Sequence, residues 1–588
     1  MKSVKKLKRY VYFFYYTKKS QIVSRFISKV KRPLLHNFII NKKYQITDKY
    51  NYFVVDTLPS YDNVSDLLVN KFTFLNQPFQ FDSNVNWSDS SNDDLWNFHL
   101  NYFDYLSDFI NEYSKSKDFS YIQKGQSLVE EWIKSSINYS RVTWSPYTIS
   151  LRLINWITFY SKLVNENCLK SIPENVIKSI IQQNDYLKSN LEYDVLGNHL
   201  FENVKTIILV EHFLGNKTST QKYVYKLNKI LSKQILKDGC HFEKSMSYHI
   251  IVMNGIADVL NTLKEASCDL KVLTGYLKLM HSFYKGIAYN ELDYPLFNDS
   301  NYTMTERLYN LENKIKKVFD NKNLELNVKT LNKKSNYFIH KTNTLRLTMD
   351  LGSLGAEYLL AHAHNDIFNF ELLHSDKKFV IDTGVYEYKP TKKREYSRST
   401  CAHNTVQVSS IEQSDIWSSF RIAYRPSNVY NTVFLNNTFS EYFGSYNHKK
   451  NYTHSRNFII TKKDTVIIND IITSKYNYDY KSFLHLHPNV LIKDDNNYLA
   501  LVNSAISVYL YTYTDYTLIE TNKLDIVSTK YYPYFGKELD KQTIINKNDK
   551  DNCGFIFSLC KIKDILCVAN NLLITYENGY KEKLELRK

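Results

Sequence analysis

The sequence lacks the usual signals for export, membrane insertion and disulfide bonding. No run of about 18 apolar residues is present, so no transmembrane helix is predicted. The aromatic run at 10–16 is followed by Lys18 and Lys19 and by no small-residue cleavage site, so no secretory signal is predicted either. The seven cysteines show no C-x-x-C spacing, which favours reduced thiols. We therefore expect a protein that is cytoplasmic or peripheral at the inner face of the membrane.

The net charge of +16 is concentrated at the N-terminus. Residues 1–50 contain 14 lysines and arginines and a single acid, Asp48, so this segment carries +13 and the other 538 residues carry only +3. A basic arm with interleaved aromatic residues suits peripheral contact with an anionic membrane or an acidic polymer, and a solvated basic helix explains it equally well. No nucleic-acid recognition motif accompanies the charge, so no nucleic acid is expected as a partner.

The chain divides into two parts with different hydrophobic periods. With 588 residues, 43% of them hydrophobic, it is long enough for more than one core. From about residue 96 to 320, apolar residues recur every three or four positions, which predicts successive helices in a helical array or toroid rather than a four-helix bundle. After about residue 335 the period is two, which predicts strands. We expect a multidomain α+β chain: a basic arm at 1–85, an all-α (α/α) toroid at 86–330 and an antiparallel β-sandwich at 331–588.

Two breaks in the helical part carry polar residues suited to chemistry. In YDVLGNHLFEN, Gly197, Asn198 and His199 stand at the start of a predicted helix, with Glu202 one turn further along. Tyr248 opens another predicted helix in DGCHFEKSMSYHIIVMNG. Each also has a structural explanation, because an Asn at this position is ordinarily a cap and a Tyr ordinarily packs. Neither break alone identifies a site.

Two histidines stand two residues apart in LLAHAHNDIFNFEL, 359–372. The alternating apolar residues after them predict a strand, on which His362 and His364 would point the same way. Two solvated surface histidines are the competing interpretation. Asp382 lies in FVIDTGVYEY and His403 in RSTCAHNTVQV. His364, Asp382 and His403 together supply two imidazoles and a carboxylate, a set suited to zinc with one position left for water.

The ordered combination of these motifs resembles a known family. GNHLFEN, SMSYH, AHAHNDIFNFEL, VIDTGVYEY and AHNTVQV, in this order, resemble the heparinase II/III-like polysaccharide lyases. LWNFHLNYFDYL and WSPYTISLRLINW are similar to the toroid of the family's bacterial members. The resemblance covers about residues 90–420 and implies an α/α toroid followed by an antiparallel β-sandwich. It also implies β-elimination at a uronic acid residue of an acidic polysaccharide or oligosaccharide.

The resemblance further implies a role for each catalytic residue. Asn198 and His199 would neutralise the carboxylate of the uronic acid, with Glu202 as their support or as a substrate contact. Tyr248 would act as base or as acid toward the leaving oxygen. His362 would be the partner base for one sugar epimer.

A metal site and further substrate contacts are implied in the same way. His364, Asp382 and His403 would hold a divalent metal, zinc by its ligand chemistry, beside the active site. A tyrosine after the metal-binding aspartate assists in some members of the family. The tyrosines that qualify here are Tyr386, Tyr388 and Tyr396. Arg394 and Arg398 would contact substrate carboxylates or sulfates, or lie solvated in a loop.

Two other functions fit the same residues. A uronyl C5-epimerase removes and returns the same proton without expelling the leaving group, and the absent export signal favours such a role in the biosynthesis of a surface polysaccharide. A non-catalytic glycan-binding protein is the third hypothesis. The full set of acid and base residues favours catalysis.

Overall fold

A computed structural model describes residues 2–47, 49–56, 63–89, 91–320, 334–356, 358–568 and 571–585. The first part of the chain is helical and the second is rich in sheet, as the change of period predicts. The boundary predicted at 330/331 lies outside the described residues. The helices are α1 (Lys2–Tyr16), α2 (Lys19–Asn41), α3 (Ser65–Leu68), α4 (Asp94–Tyr102), α5 (Leu106–Ser116), α6 (Ser120–Ser135), α7 (Pro146–Asn165), α8 (Glu174–Ser189), α9 (Gly197–Phe213), α10 (Lys217–Gln234), α11 (Met246–Thr262), α12 (Lys271–Ile287), α13 (Thr305–Val318) and α14 (Lys392–Ser397).

Most of the strands follow α13, and every pairing between them in the described part of the chain is antiparallel. The strands are β1 (Lys71–Phe74), β2 (Gln77–Gln80), β3 (Tyr337–Lys341), β4 (Leu345–Asp350), β5 (Phe370–His374), β6 (Lys377–Val380), β7 (Val406–Val408), β8 (Ile416–Trp417), β9 (Arg421–Ile422), β10 (Ser427–Leu435), β11 (Phe439–His448), β12 (Tyr452–Thr461), β13 (Val466–Ser474), β14 (Tyr480–His485), β15 (Leu491–Asp494), β16 (Leu499–Asn503), β17 (Ile506–Thr514), β18 (Thr517–Ile519), β19 (Leu524–Tyr534), β20 (Lys537–Asn548), β21 (Asn552–Ser558), β22 (Ile562–Val568), β23 (Asn571–Tyr576) and β24 (Lys581–Glu585).

Helices α4 to α13 bury their apolar sides in one large cluster that contains Trp96, Trp132 and Trp156. The stretch LWNFHLNYFDYLSDFINEY, 95–113, lies in the part predicted as helical and is divided into α4 and α5. The division falls at Phe103, which is buried and has a left-handed φ of 60°, a conformation that ends a helix. The amphipathic period therefore predicts the helices but not this turn between them.

The largest sheet has the order β10-β11-β12-β13-β21-β17-β16-β15, with β18 paired to β17. Separate sheets have the orders β19-β20-β14-β7, β3-β4-β5-β6 and β22-β23-β24, and β8 pairs with β9. Alternate residues of these strands fill two further apolar clusters, one around Phe370, Phe458 and Phe555 and the other around Tyr511 and Ile574. The sheets thus form the framework from which the segments that carry His362, His364, Asp382 and His403 project, 358–369 and 381–405.

The strand predicted to carry both His362 and His364 is wrong in its bounds. β5 begins only at Phe370, and residues 361–369 form an irregular loop in which Phe368 has a φ of 67°. The loop is fixed by tertiary hydrogen bonds: the Asp299 amide donates to the His362 carbonyl at 3.1 Å, and the His364 amide donates to Asn298 Oδ1 at 3.1 Å. These contacts replace the ladder that the alternating pattern predicts.

No helix in the described part of the chain is both long and apolar enough to cross a bilayer. The seven cysteines all lie within the described residues and no disulfide joins them.

Candidate active site

The first turn of α11 carries Tyr248 toward the loops of the sheet-rich part. Ser245 caps this helix, accepting from the Tyr248 amide at 3.5 Å. The Ser245 hydroxyl in turn donates to the Asp299 carbonyl at 2.6 Å. One cap residue therefore fixes Tyr248 and the segment around Asp299 relative to each other.

Asp299 is a completely buried carboxylate that binds three side chains of the sheet-rich part. His362 Nδ1 donates to its Oδ2 at 2.9 Å, and His364 Nε2 donates to its Oδ1 at 2.8 Å. Arg394 donates to both oxygens, at 2.9 Å to Oδ2. Burial opposes ionisation, but Arg394 and the two histidines hold the pKa of Asp299 well below its usual range. His362 and His364 therefore share a side of the site because they bind one carboxylate, not because of a β pleat.

Tyr248 lies directly against His362. Their ring centroids are 3.8 Å apart, and the Tyr248 hydroxyl donates to the Tyr388 hydroxyl at 3.3 Å. Burial raises the pKa of Tyr248 well above its usual range, and the nearby Tyr388 and Asp299 raise it further. The hydroxyl is therefore protonated at neutral pH and available as a proton donor.

Glu243 lies between the first turn of α9 and the Tyr248–His362 pair. The Asn198 amide donates to the Glu243 carboxylate, whose charge also interacts with His362 and His199. His199 Nδ1 lies 3.3 Å from Glu192 Oε1. Burial by itself lowers the pKa of His199, but the Glu192 carboxylate outweighs it and the net shift is upward. Glu243 thus links the Asn198–His199 turn to the Tyr248–His362 pair, and the turn presents a half-buried imidazole that favours its cationic form.

Gly197 is required at the start of α9 by its surroundings. Its φ is 55°, and a Cβ at this position would stand 2.2 Å from Glu243 Oε1 and 2.9 Å from Leu359 Cδ2.

Gly197→Ala should lower the free energy of unfolding by about 1–3 kcal/mol in chemical denaturation, because both the backbone and Glu243 must shift. Gly275→Ala is the matched control, since nothing lies within 4 Å of a Cβ there and the residue is on the exposed side of α12. It should instead raise stability by about 0.5–1 kcal/mol. Equal effects of the two changes would contradict the packing described here.

The three predicted metal ligands lie together behind His362. His403 Nδ1 donates to Asp382 Oδ2 at 2.7 Å, and the rings of His364 and His403 are 5.3 Å apart. His364 Nδ1 and His403 Nε2 are both buried without a hydrogen-bond partner. Among the described residues, no three His, Cys, Asp or Glu side chains are positioned to coordinate one metal ion. The donor types suit zinc and the two orphaned nitrogens are open to a ligand, so the residues are chemically compatible with a metal.

Three residues predicted as substrate contacts have other surroundings. Glu202 is buried, with its carboxylate 2.5 Å from the ammonium of Lys205, so its charge is paired within the protein. Arg394 is 1% exposed and donates to Asp299 and to the Ser419 carbonyl, so it holds Asp299 instead of facing solvent. Tyr386 packs on Tyr532 at 5.4 Å, away from Tyr248.

Tyr396 and Arg398, the other two candidates for contact with the substrate, also have partners within the protein. Tyr396 packs on Tyr532 at 6.2 Å, and Arg398 is buried, donating to the carbonyls of Ala363 and Ser419. Tyr388 alone of the three tyrosines contacts both Tyr248 and the ring of His362, the latter at 6.4 Å. Tyr388 is therefore the tyrosine placed to assist Tyr248.

Sequence reasoning missed three carboxylates of the site: Asp299, Glu243 and Glu192. Asp299 stands in the polar cluster FNDSN, which has the composition of an ordinary turn. Glu243 precedes α11 by three residues and Glu192 precedes α9 by five, both outside the helices. Asp299 and Glu243 have partners in distant parts of the chain, whereas Glu192 binds His199 only seven residues away and carries no motif of its own.

Comparison with known proteins agrees with this fold. A curated heparin-sulfate lyase of Bacteroides stercoris is 20% identical over 468 residues, which are 74% of this chain and 67% of the relative. One from Pedobacter heparinus is 24% identical over 329 residues, 50% of this chain and 49% of the relative. A crystal structure of heparinase III, 15% identical, superimposes with a TM-score of 0.73 over 96% of this chain and 97% of its own. A heparan sulfate lyase from Pedobacter heparinus gives 0.61, at 16% identity, over 96% and 94%.

Two family models account for nearly the whole sequence. The model of the heparinase II/III N-terminus matches residues 11–326, and that of the heparinase II/III-like C-terminal part matches residues 329–559. The first alone spans more than half of the chain. The chain, with helices that supply Asn198, His199 and Tyr248 and sheet loops that supply His362, belongs to the heparinase II/III family.

Proposed function

We propose that this protein is a polysaccharide lyase that cleaves an acidic, uronic-acid-containing polysaccharide by β-elimination. The observation that carries the proposal is the contact between a protonated Tyr248 and a His362 oriented by Asp299, beside the Asn198–His199 turn. An acid and a base in contact, next to an imidazole whose pKa the Glu192 carboxylate raises, are what elimination at a uronic acid requires. The named relatives are heparin-sulfate lyases, which supports an acidic polysaccharide as the substrate class.

The proposed steps follow from the orientation of these side chains. Asn198 and His199 bind the carboxylate of the uronic acid and stabilise the negative charge that develops on it. His362 donates through Nδ1 to the ionised Asp299, so its Nε2 lone pair is free to take the proton from carbon 5. The bond from carbon 4 to the glycosidic oxygen breaks as the double bond between carbons 4 and 5 forms, and the Tyr248 hydroxyl protonates the leaving oxygen. His362 is left protonated against the Tyr248 phenolate, so the proton can return directly.

The alternative functions are less well supported. The curated relatives named above are lyases, not epimerases or binding proteins. A non-catalytic role also leaves the buried Tyr248–His362–Asp299 arrangement without a purpose, since burying charged and polar groups costs stability. Elimination is tested by the absorbance near 232 nm of the unsaturated uronate product, measured with purified protein and a panel of uronate polymers that includes heparan sulfate.

The tyrosine neighbours of Tyr248 provide a prediction within this scheme. Tyr388→Phe removes the hydroxyl that accepts from Tyr248 at 3.3 Å, and should lower kcat by about 10-fold while leaving KM nearly unchanged. Tyr386→Phe is the matched control, because Tyr386 packs on Tyr532 instead. It should retain wild-type kcat in the same steady-state assay. The reverse order of the two variants would assign the assisting role to Tyr386.

The metal is the second part of the proposal. His364, Asp382 and His403 would hold a zinc ion, which would fix the loops behind His362 and supply a positive charge there. The two unpartnered imidazole nitrogens and the donor types support this assignment. None of the proton transfers described above passes through the metal.

Metal removal should be measurable without any substrate. Purified protein should contain about one zinc per chain by elemental analysis, and a strong chelator should lower its melting temperature. His403→Ala should lose the metal and the response to chelator. His281→Ala is the control, because His281 is also buried but its Nε2 lies 3.0 Å from Glu312 Oε1 on the helical side of the molecule. Metal content that stays at one per chain in His403→Ala would contradict the assignment.

The finer architecture belongs to the same proposal. We infer that the helices α4 to α13 are arranged as an α/α toroid and that the sheets from β3 onward form an antiparallel β-sandwich. The single large apolar cluster of the helices and the two apolar clusters of the sheets support these arrangements.

A further inference from the structure

The two N-terminal helices expose apolar side chains that a soluble protein ordinarily buries. On α2 these side chains recur every three or four residues, so they form one stripe along the helix, and each is 55–67% exposed. They are Val23, Phe26, Ile27, Val30, Leu34 and Phe38. A second stripe on α1 is 51–79% exposed. It consists of Val4, Leu7, Val11, Phe14 and Tyr15. An exposed apolar surface of this extent indicates a binding surface.

The opposite sides of both helices are held against the rest of the molecule. On α1, Arg9 forms an ion pair with Asp415 at 2.7 Å. On α2, His36 is completely buried and its Nε2 lies 3.1 Å from the Ser136 carbonyl oxygen. The helices are therefore docked by polar and aromatic residues and, on α2, by Ile39, which is buried in the helical core, whereas the apolar stripes are directed outward.

The positive charge beside the apolar stripes of α1 and α2 indicates which kind of partner can bind them. Residues 2–41 contain eleven lysines and arginines and no acid. Lys29 and Lys31 are exposed and lie about 100° to either side of Val30 on the helix, so basic side chains flank the apolar stripe. Lys31 also reaches the Ser189 carbonyl at 2.5 Å. A second copy of the same surface would bring these positive charges together, and an acidic polymer would leave the apolar side chains in water. An anionic lipid surface accommodates both.

We propose that α1 and α2 bind the surface of an anionic lipid bilayer. The apolar stripes enter the boundary between headgroups and acyl chains, and the flanking lysines contact lipid phosphates. This interaction leaves the catalytic residues untouched and does not depend on the proposed lyase activity. Its consequence is a lyase that works at a membrane surface.

The experiment is flotation of the full-length protein with vesicles. Wild type should float with vesicles of phosphatidylcholine and phosphatidylglycerol at a 7:3 ratio, and raising the salt from 0.1 to 0.5 M should reduce the bound fraction severalfold. With phosphatidylcholine alone the bound fraction should be at least about 10-fold lower. The triple variant Phe26→Glu, Val30→Glu, Leu34→Glu should weaken binding to the anionic vesicles on the order of 100-fold.

A matched variant separates the stripe from a general effect of charge. Tyr430→Glu, Leu435→Glu, Leu491→Glu changes three side chains of the sheets that are 53–65% exposed, by the same charge. It should bind vesicles like wild type, and both triple variants should keep the wild-type melting temperature and the wild-type rate on soluble substrate. Failure of wild type to float with the anionic vesicles would overturn the proposal. So would a concentration-dependent dimer, detected by light scattering, that the stripe variant abolishes while vesicle binding persists.

Discussion

Tyr248→Phe should lower kcat by about 10²–10⁴-fold with a much smaller change in KM. The substitution removes the hydroxyl proton of the tyrosine that lies directly against His362, while keeping the ring whose centroid is 3.8 Å from that of His362. In the proposed mechanism the missing interaction is made to the leaving oxygen, so its loss affects the transition state more than substrate binding. The measurement is steady-state formation of the unsaturated uronate by absorbance.

The control for Tyr248→Phe is another buried tyrosine. Tyr160→Phe removes the hydroxyl of a side chain on α7 that is equally enclosed and makes no hydrogen bond. It should leave kcat unchanged, and the melting temperatures of both variants should stay close to that of wild type. Near-normal kcat in Tyr248→Phe would remove the tyrosine from the mechanism proposed here.

Asp299→Asn should both inactivate the protein and destabilise it by about 3–5 kcal/mol. The carboxylate neutralises Arg394 in a site that water does not reach, so its loss leaves a buried cation without a counter-charge. It also releases His362 and His364 from the orientation that their hydrogen bonds impose. Urea denaturation measures the first effect and the lyase assay measures the second.

A double variant distinguishes the structural effect of Asp299 from the catalytic one. Asp299→Asn combined with Arg394→Met removes both charges, and should recover most of the lost stability because no unpaired cation remains. Activity should stay low, because Asn offers one neutral acceptor oxygen where the carboxylate offers two charged ones to His362 and His364. Recovery of activity together with stability would mean that Asp299 acts only through Arg394.

The starts of α9 and α11 could be predicted from the sequence because helix starts are local. The Asn198–His199 turn and Tyr248 stand in the first turns of their helices, as the break in the apolar period indicates. The site around them could not be predicted in the same way. Asp299 binds His362, His364 and Arg394 across 63, 65 and 95 residues of chain, and no local pattern encodes such contacts.

The alternation after His364 illustrates how a correct observation gave a wrong local structure. Ile367, Phe368 and Phe370 are all buried, so their apolar character was informative. Only Phe370 lies in a strand, because the preceding residues are fixed by hydrogen bonds to Asn298 and Arg398 rather than by a neighbouring strand. Burial was encoded locally, whereas the path of the loop depends on tertiary contacts.

The lyase assignment is tested most directly by the absorbance near 232 nm when wild type, Tyr248→Phe and His362→Ala are each incubated with uronate polymers. The account predicts a steady increase with wild type on at least one acidic polysaccharide and almost none with either variant. Incorporation of solvent deuterium at carbon 5 without any increase in absorbance would contradict it, and would identify an epimerase instead.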